Sequence, residues 1–183
     1  MPFKEGIKMS FSKVRIDEVK PKLEVIFSRY GCVNKLSTFI TNKSFYELKG
    51  KYNQLFMLAN NNNVNKDRLL EFLSGLLSKG FHPYSIGTPI VIYDRSEILP
   101  TLAFGRYLAE MCENKLVISD YNLIYKIIYK KPIYISSAYN YNDVIIVDKM
   151  NNFIAYAKVE NRKRGVYEVI PVKDIGWYLR RGG

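Results

Sequence analysis

The chain has 183 residues, 48% of them apolar and 25% charged, a balance that excludes a disordered chain and suits one large domain or two small ones. Lys and Arg outnumber Asp and Glu by 28 to 17, for a formal net charge of +11, which favours anionic partners such as nucleic acid or acidic lipid. No apolar run approaches the ~18 residues needed to span a bilayer, and residues 1–11 lack the apolar centre of a signal peptide, so a cytoplasmic chain with no membrane anchor is expected.

In chain order, residues 16–30 read as a first helix. Asp17 is its expected N-cap, Val19, Leu23, Ile26 and Phe27 its apolar stripe, and Gly31 its stop. Residues 33–40, 45–48 and 54–58 alternate apolar and polar side chains, as half-buried antiparallel strands do. After the polar break at 60–63, residues 66–79 form a leucine-rich helix closed by Gly80. Strands are expected at 85–93 and 97–99, and a helix at 102–111.

The pattern changes near residues 112–115. A strand at 116–118 leads to a short helix capped by Asp120 and running through Tyr129. Closely spaced strands follow at 133–135, 144–147, 153–159 and 166–172, and a terminal helical turn at 175–179, with Trp177 as its core anchor. Four or five short strands in about 70 residues suggest a barrel-like module. The expected architecture is therefore α+β, with an α/β domain over residues 1–112 and a β-barrel over 113–183. Both are basic: residues 113–183 carry 12 Lys and Arg against 7 Asp and Glu, and residues 1–112 carry 16 against 10.

Catalysis has little to draw on. His82 is the only imidazole and sits between Phe81 and Pro83, where a structural role is expected. Apart from the pair Gly182-Gly183, glycines occur singly, without a phosphate-cradling loop, and no Cys/His cluster has zinc spacing. Asp94, Glu97, Asp120, Asp143 and Asp148 read as turn, cap or surface charges. No cofactor or metal is expected. Cys32 and Cys112 stand far apart in sequence and are expected as small buried apolar groups in a reducing compartment, a reading that leaves a disulfide between them open.

The case for RNA rests on cations. Lys158, Arg162, Lys163 and Arg164 fall together at an expected β-turn, a place that projects side chains into solvent, and Arg180 and Arg181 lie on the closing helix. Lys130 and Lys131 extend this patch or form a solvated face. Tyr139 and Tyr141, in the polar loop 136–142, are offered either for stacking on unpaired bases or, more simply, as filling of a β-rich core and its edges.

Residues 147–159 followed by Asp174-Ile175-Gly176-Trp177-Tyr178-Leu179-Arg180 are similar to the closing segment of the PUA domain in the Nip-seven family, ribosome-biogenesis factors with archaeal counterparts. Upstream, Ser85-Ile86-Gly87-Thr88 and the stretch containing Arg106-Tyr107-Leu108-Ala109 resemble the end of that family's N-terminal domain. The Gly-rich loop that usually follows the first PUA helix has no counterpart in residues 125–137, which hold no glycine.

The resemblance, closest to archaeal members, implies a C-terminal PUA barrel and a non-enzymatic role in pre-rRNA processing and large ribosomal subunit assembly. In that family basic residues of the late PUA strands contact U- or A-rich RNA, roles that fall here on Lys158, Arg162, Lys163 and Arg164; Arg180 and Arg181 are added on charge. The implied protein partners are the RNA-degrading exosome and other assembly factors, met by the N-terminal domain, and the chain is expected to be a monomer. The rival reading is an RNA-modifying enzyme, or an accessory subunit of one, carrying a PUA domain.

Overall fold

A computed structural model describes residues 10–50, 52–59, 65–81, 85–136, 140–163 and 165–181. By internal contacts the chain divides into two units, one formed by residues 1–26 and 36–103, the other by residues 27–35 and 104–183.

In the first unit, alternation of apolar and polar residues builds an antiparallel sheet in the order β1 (Ser10–Val14), β2 (Lys43–Lys49), β3 (Asn53–Ala59), β4 (Thr88–Tyr93) and β5 (Ile98–Pro100). Helix α1 (Ile16–Arg29) buries Val19, Leu23 and Ile26 completely, as its stripe predicts. Asp17 is not its cap; it lies inside the first turn, held by the Arg15 guanidinium at 2.8 Å. Helix α3 (Lys66–Ser78) is capped by Asn65, whose side chain accepts the Arg68 N–H, and is followed by Gly80 at φ +81°. Its Leu73 joins Phe11, Tyr46, Phe56 and Ile86 in a core cluster, with Leu69, Leu70 and Leu77 against it.

The strand expected at residues 33–40 is not formed. A 3-10 turn, Val33–Lys35, leads into the short helix α2 (Leu36–Ile40), and the buried pair Leu36 and Phe39 explains why. A spacing of three sets both side chains on one helical side, whereas a strand would turn them to opposite faces. Strand β1 was not expected at all, because its buried residues, Phe11 and Val14, are three apart and break the two-residue alternation.

The second unit holds α4 (Gly105–Met111), β6 (Lys115–Ile118), α5 (Tyr121–Ile128), β7 (Ile133–Ile135), β8 (Asp143–Asp148), β9 (Phe153–Lys163), β10 (Val166–Asp174) and α6 (Trp177–Arg181). Its sheet runs β6-β8-β9-β10-β7, with β6 parallel to β8 and the other pairs antiparallel. Strands β6 and β7 form its two edges and do not pair among the described residues, so the sheet is a curled half-barrel, consistent with the barrel-like module expected. Helix α5 packs on β6, β7, β9 and β10. Its Ile127, fully buried, meets Ile133, Val144, Ile146 and Val169 in the core, with Leu123, Ile124 and Ile128 packed against them.

Cys32 and Cys112 are buried as expected, but as a disulfide rather than as thiols. Among the described residues no helix is long and apolar enough to cross a membrane, and no cluster of His, Cys, Asp and Glu could hold a metal ion.

Candidate nucleic-acid interface

Strand β9 reaches Lys163, so Lys158, Arg162 and Lys163 stand on a strand and not in the turn expected at 158–164. The reason is the ladder: residues 154–157 and Val159 are buried, and pairing with β10 carries the strand on to Lys163 after its residues have become exposed and polar. Lys158 and Lys163 are exposed and make no ion pair among the described residues.

Arg162 is differently placed. Register puts Glu160 of β9 opposite Glu168 of β10, and Glu168 opposite Tyr134 of β7, so the three form one cross-strand row. Arg162 reaches into this row, donating to the largely buried Glu168 carboxylate, with Glu160 3.2 Å away. The Tyr134 hydroxyl donates to the other Glu168 oxygen at 2.9 Å. Hydrogen bonds from Arg162 and Tyr134 hold the Glu168 carboxyl below its ordinary range, and the same contacts raise the Arg162 and Tyr134 pKa values. Nε and Nη2 of this guanidinium are therefore already engaged by carboxylates, which compete with any phosphate.

Arg180 serves the fold. Its guanidinium forks onto Asp174, with Nη1 to Oδ1 at 2.9 Å and Nη2 to Oδ2 at 3.0 Å, and it also donates to the Ile128 carbonyl. Asp174 is completely buried. Arg181 closes α6; Arg164, His82 and Tyr139 lie outside the described residues. The expectation that Trp177 anchors the core is corrected: it is 40% exposed and meets Tyr178 edge-on at 5.2 Å. A five-residue helix has little face to bury, and the closure is made instead by Asp174, Arg180 and the Gly176 backbone against Ile128. Tyr141 is likewise exposed.

Sequence reasoning passed over the outward face of α5. Tyr121, Tyr125 and Tyr129 recur every four residues, and all three are exposed. The spacing was visible; read as part of an apolar helix, the tyrosines did not stand apart from the partly buried Leu123 and Ile124 and the buried Ile127. Lys126, Lys130 and Lys131, also exposed, lie on and just after this helix. In the first unit a cleft of about 430 Å³ is lined by Lys13, Arg15 and Lys43 among others, but Arg15 is bound to Asp17 and Lys43 donates to the Phe39 carbonyl, leaving little free charge for an anion.

The fold is similar to that of a conserved PUA-domain protein from Thermoplasma acidophilum, with a TM-score of 0.54 at 14% identity over 94% of this chain and 99% of that one. A hypothetical protein from the hyperthermophilic archaeon Pyrococcus horikoshii aligns at a TM-score of 0.48 and 11% identity, covering 92% and 98%. No protein-family model and no curated protein matches the chain.

Proposed function

We propose that this chain, which shares the fold of a PUA-domain protein, is an RNA-binding factor that acts without catalysis in pre-rRNA processing and large ribosomal subunit assembly. The observation that carries the reading is a PUA-like fold over nearly the whole chain, in a protein with a net charge of +11. The similarity of residues 174–180 to the closing segment of the Nip-seven PUA domain supports the finer assignment. Assembly proteins are the partners proposed for the first unit.

On the β9 strand the phosphate contacts are assigned chiefly to Lys158 and Lys163, whose ammonium groups face solvent, with Arg162 contributing the part of its guanidinium left free by Glu168. The test is fluorescence anisotropy with labelled U-rich and A-rich single strands across a salt series. Lys158→Ala with Lys163→Ala is expected to lower the slope of log K against log salt by about 1.4, at roughly 0.7 per lost phosphate contact on a single strand. An unchanged slope would remove β9 from the interface.

A further inference from the structure

Helix α5 has one face in the core and an opposite face that is aromatic where a solvated helix is ordinarily charged. Tyr121, Tyr125 and Tyr129 are 73%, 60% and 45% exposed. Residues four apart lie above one another on a helix, with a rise of about 6 Å per step, so the three rings form a row. The rings of Tyr125 and Tyr129 lie with centroids 4.6 Å apart, and the Tyr125 hydroxyl donates to that of Tyr129 at 3.3 Å. Large aromatic rings are among the side chains that gain most from being covered, and Lys or Glu would keep this face soluble with better helix propensity.

Along the helix and the turn after it, from Tyr121 to Lys131, the charge has one sign. Lys126 lies on α5, Lys130 and Lys131 follow it, and no Asp or Glu occurs from Tyr121 to Lys131. The neighbouring acid, Asp120, accepts the Asn122 N–H as the helix cap. Lys130 adopts φ +59°, a left-handed conformation that suits glycine, and so stands as a lysine at a position whose backbone disfavours a side chain. Gly176 packs its backbone on Ile128, so the chain just before α6 meets the end of α5.

The geometry points to the outer face of α5 as a stacking platform for unpaired RNA bases, with Lys126, Lys130 and Lys131 neutralising the phosphates between them. Aromatic rings interleaved with cations are what a single strand requires, since every base has a face to stack and every linkage a charge. Tyrosines also anchor protein interfaces, but the cations flanking this row favour a polyanion that carries bases to stack. This inference rests on the RNA-binding reading of the chain but lies on a different element from β9.

The experiment uses the full chain, labelled oligouridine and oligoadenosine single strands, and an RNA duplex. Tyr121→Ala, Tyr125→Ala and Tyr129→Ala are each expected to weaken single-strand binding by roughly five- to a hundred-fold, without changing the salt slope or the duplex affinity. Replacement of all three by Phe keeps the rings and should keep the affinity. A folded triple alanine variant, with a wild-type circular dichroism spectrum, that still binds single strands as tightly as wild type overturns the platform while leaving the RNA reading intact. Equal losses for duplex and single strand, or an acidic polypeptide that depends on the same three rings, overturn unpaired RNA as the occupant. A wild-type chain that binds no RNA overturns both readings.

Discussion

Asp174 and Arg180 make the most consequential single contact described in the second unit. A fully buried carboxylate meets a guanidinium through both oxygens, and the same guanidinium reaches the Ile128 carbonyl. Removing one partner of such a pair leaves an uncompensated buried charge, at a cost of about 3–5 kcal/mol. Arg180→Ala is therefore expected to lower the Tm by roughly ten degrees in a circular dichroism melt. Arg180→Lys should fall between, because an ammonium keeps the charge and loses the fork. A melt unchanged by Arg180→Ala would mean that the pair does not hold the closing segment. The consequence for function is direct: a drop in RNA binding in Arg180→Ala reports the fold before it reports a phosphate contact. Gly176 belongs to the same closure, since a methyl group at its Cα would overlap the Ile128 carbonyl.

At the scale of one element, α5 states its own boundaries. Asp120 caps its start, and its end is a Schellman turn in which the Lys131 N–H bonds the Lys126 carbonyl and the Lys130 N–H bonds the Ile127 carbonyl, each at 2.9 Å. Lys130 holds the left-handed position of that turn at φ +59°. Lys130→Gly is expected to stabilise the protein by about 1 kcal/mol, raising the Tm by ~2–4 °C, and to lower the single-strand RNA salt slope by about 0.7. No rise in Tm would mean that the turn carries no strain. The helix and its cap were legible because both signals are local: an N-capping Asp and a 3.6-residue period. The helix at Leu36–Ile40 was not, because three apolar residues in a short window fit either period until burial of Leu36 and Phe39 selects one.

Across the whole molecule the disulfide is the strongest covalent constraint described. Cys32 and Cys112 are separated by 80 residues, and the loop they close contains residues 36–103 of the first unit. In the chain-entropy account, closing a loop of that length stabilises the folded state by about 4 kcal/mol. Reduction is expected to lower the Tm by roughly ten degrees, and Cys32→Ser with Cys112→Ser to melt like the reduced wild type. Equal melting with and without reductant would show that the link contributes nothing to stability. Whether two distant thiols meet is a matter of three-dimensional placement, which is why their separation in sequence suggested independent buried groups.

By itself the sequence determined the charge, most helices and strands, and the apolar faces that drive them together, since each depends on residues within one or two turns of one another. It also held the cations of the candidate site. What only the tertiary structure decided is which of those cations face solvent. Cross-strand register sets Glu168 beside Arg162, the closing turn sets Asp174 beside Arg180, and Lys158 and Lys163 are left outward. The same packing buries one side of α5 and leaves its tyrosines exposed, because Ile127 and its neighbours on that side join the core of the sheet. Identity and spacing are local properties of a chain; partnership and exposure are properties of contacts between segments far apart in it.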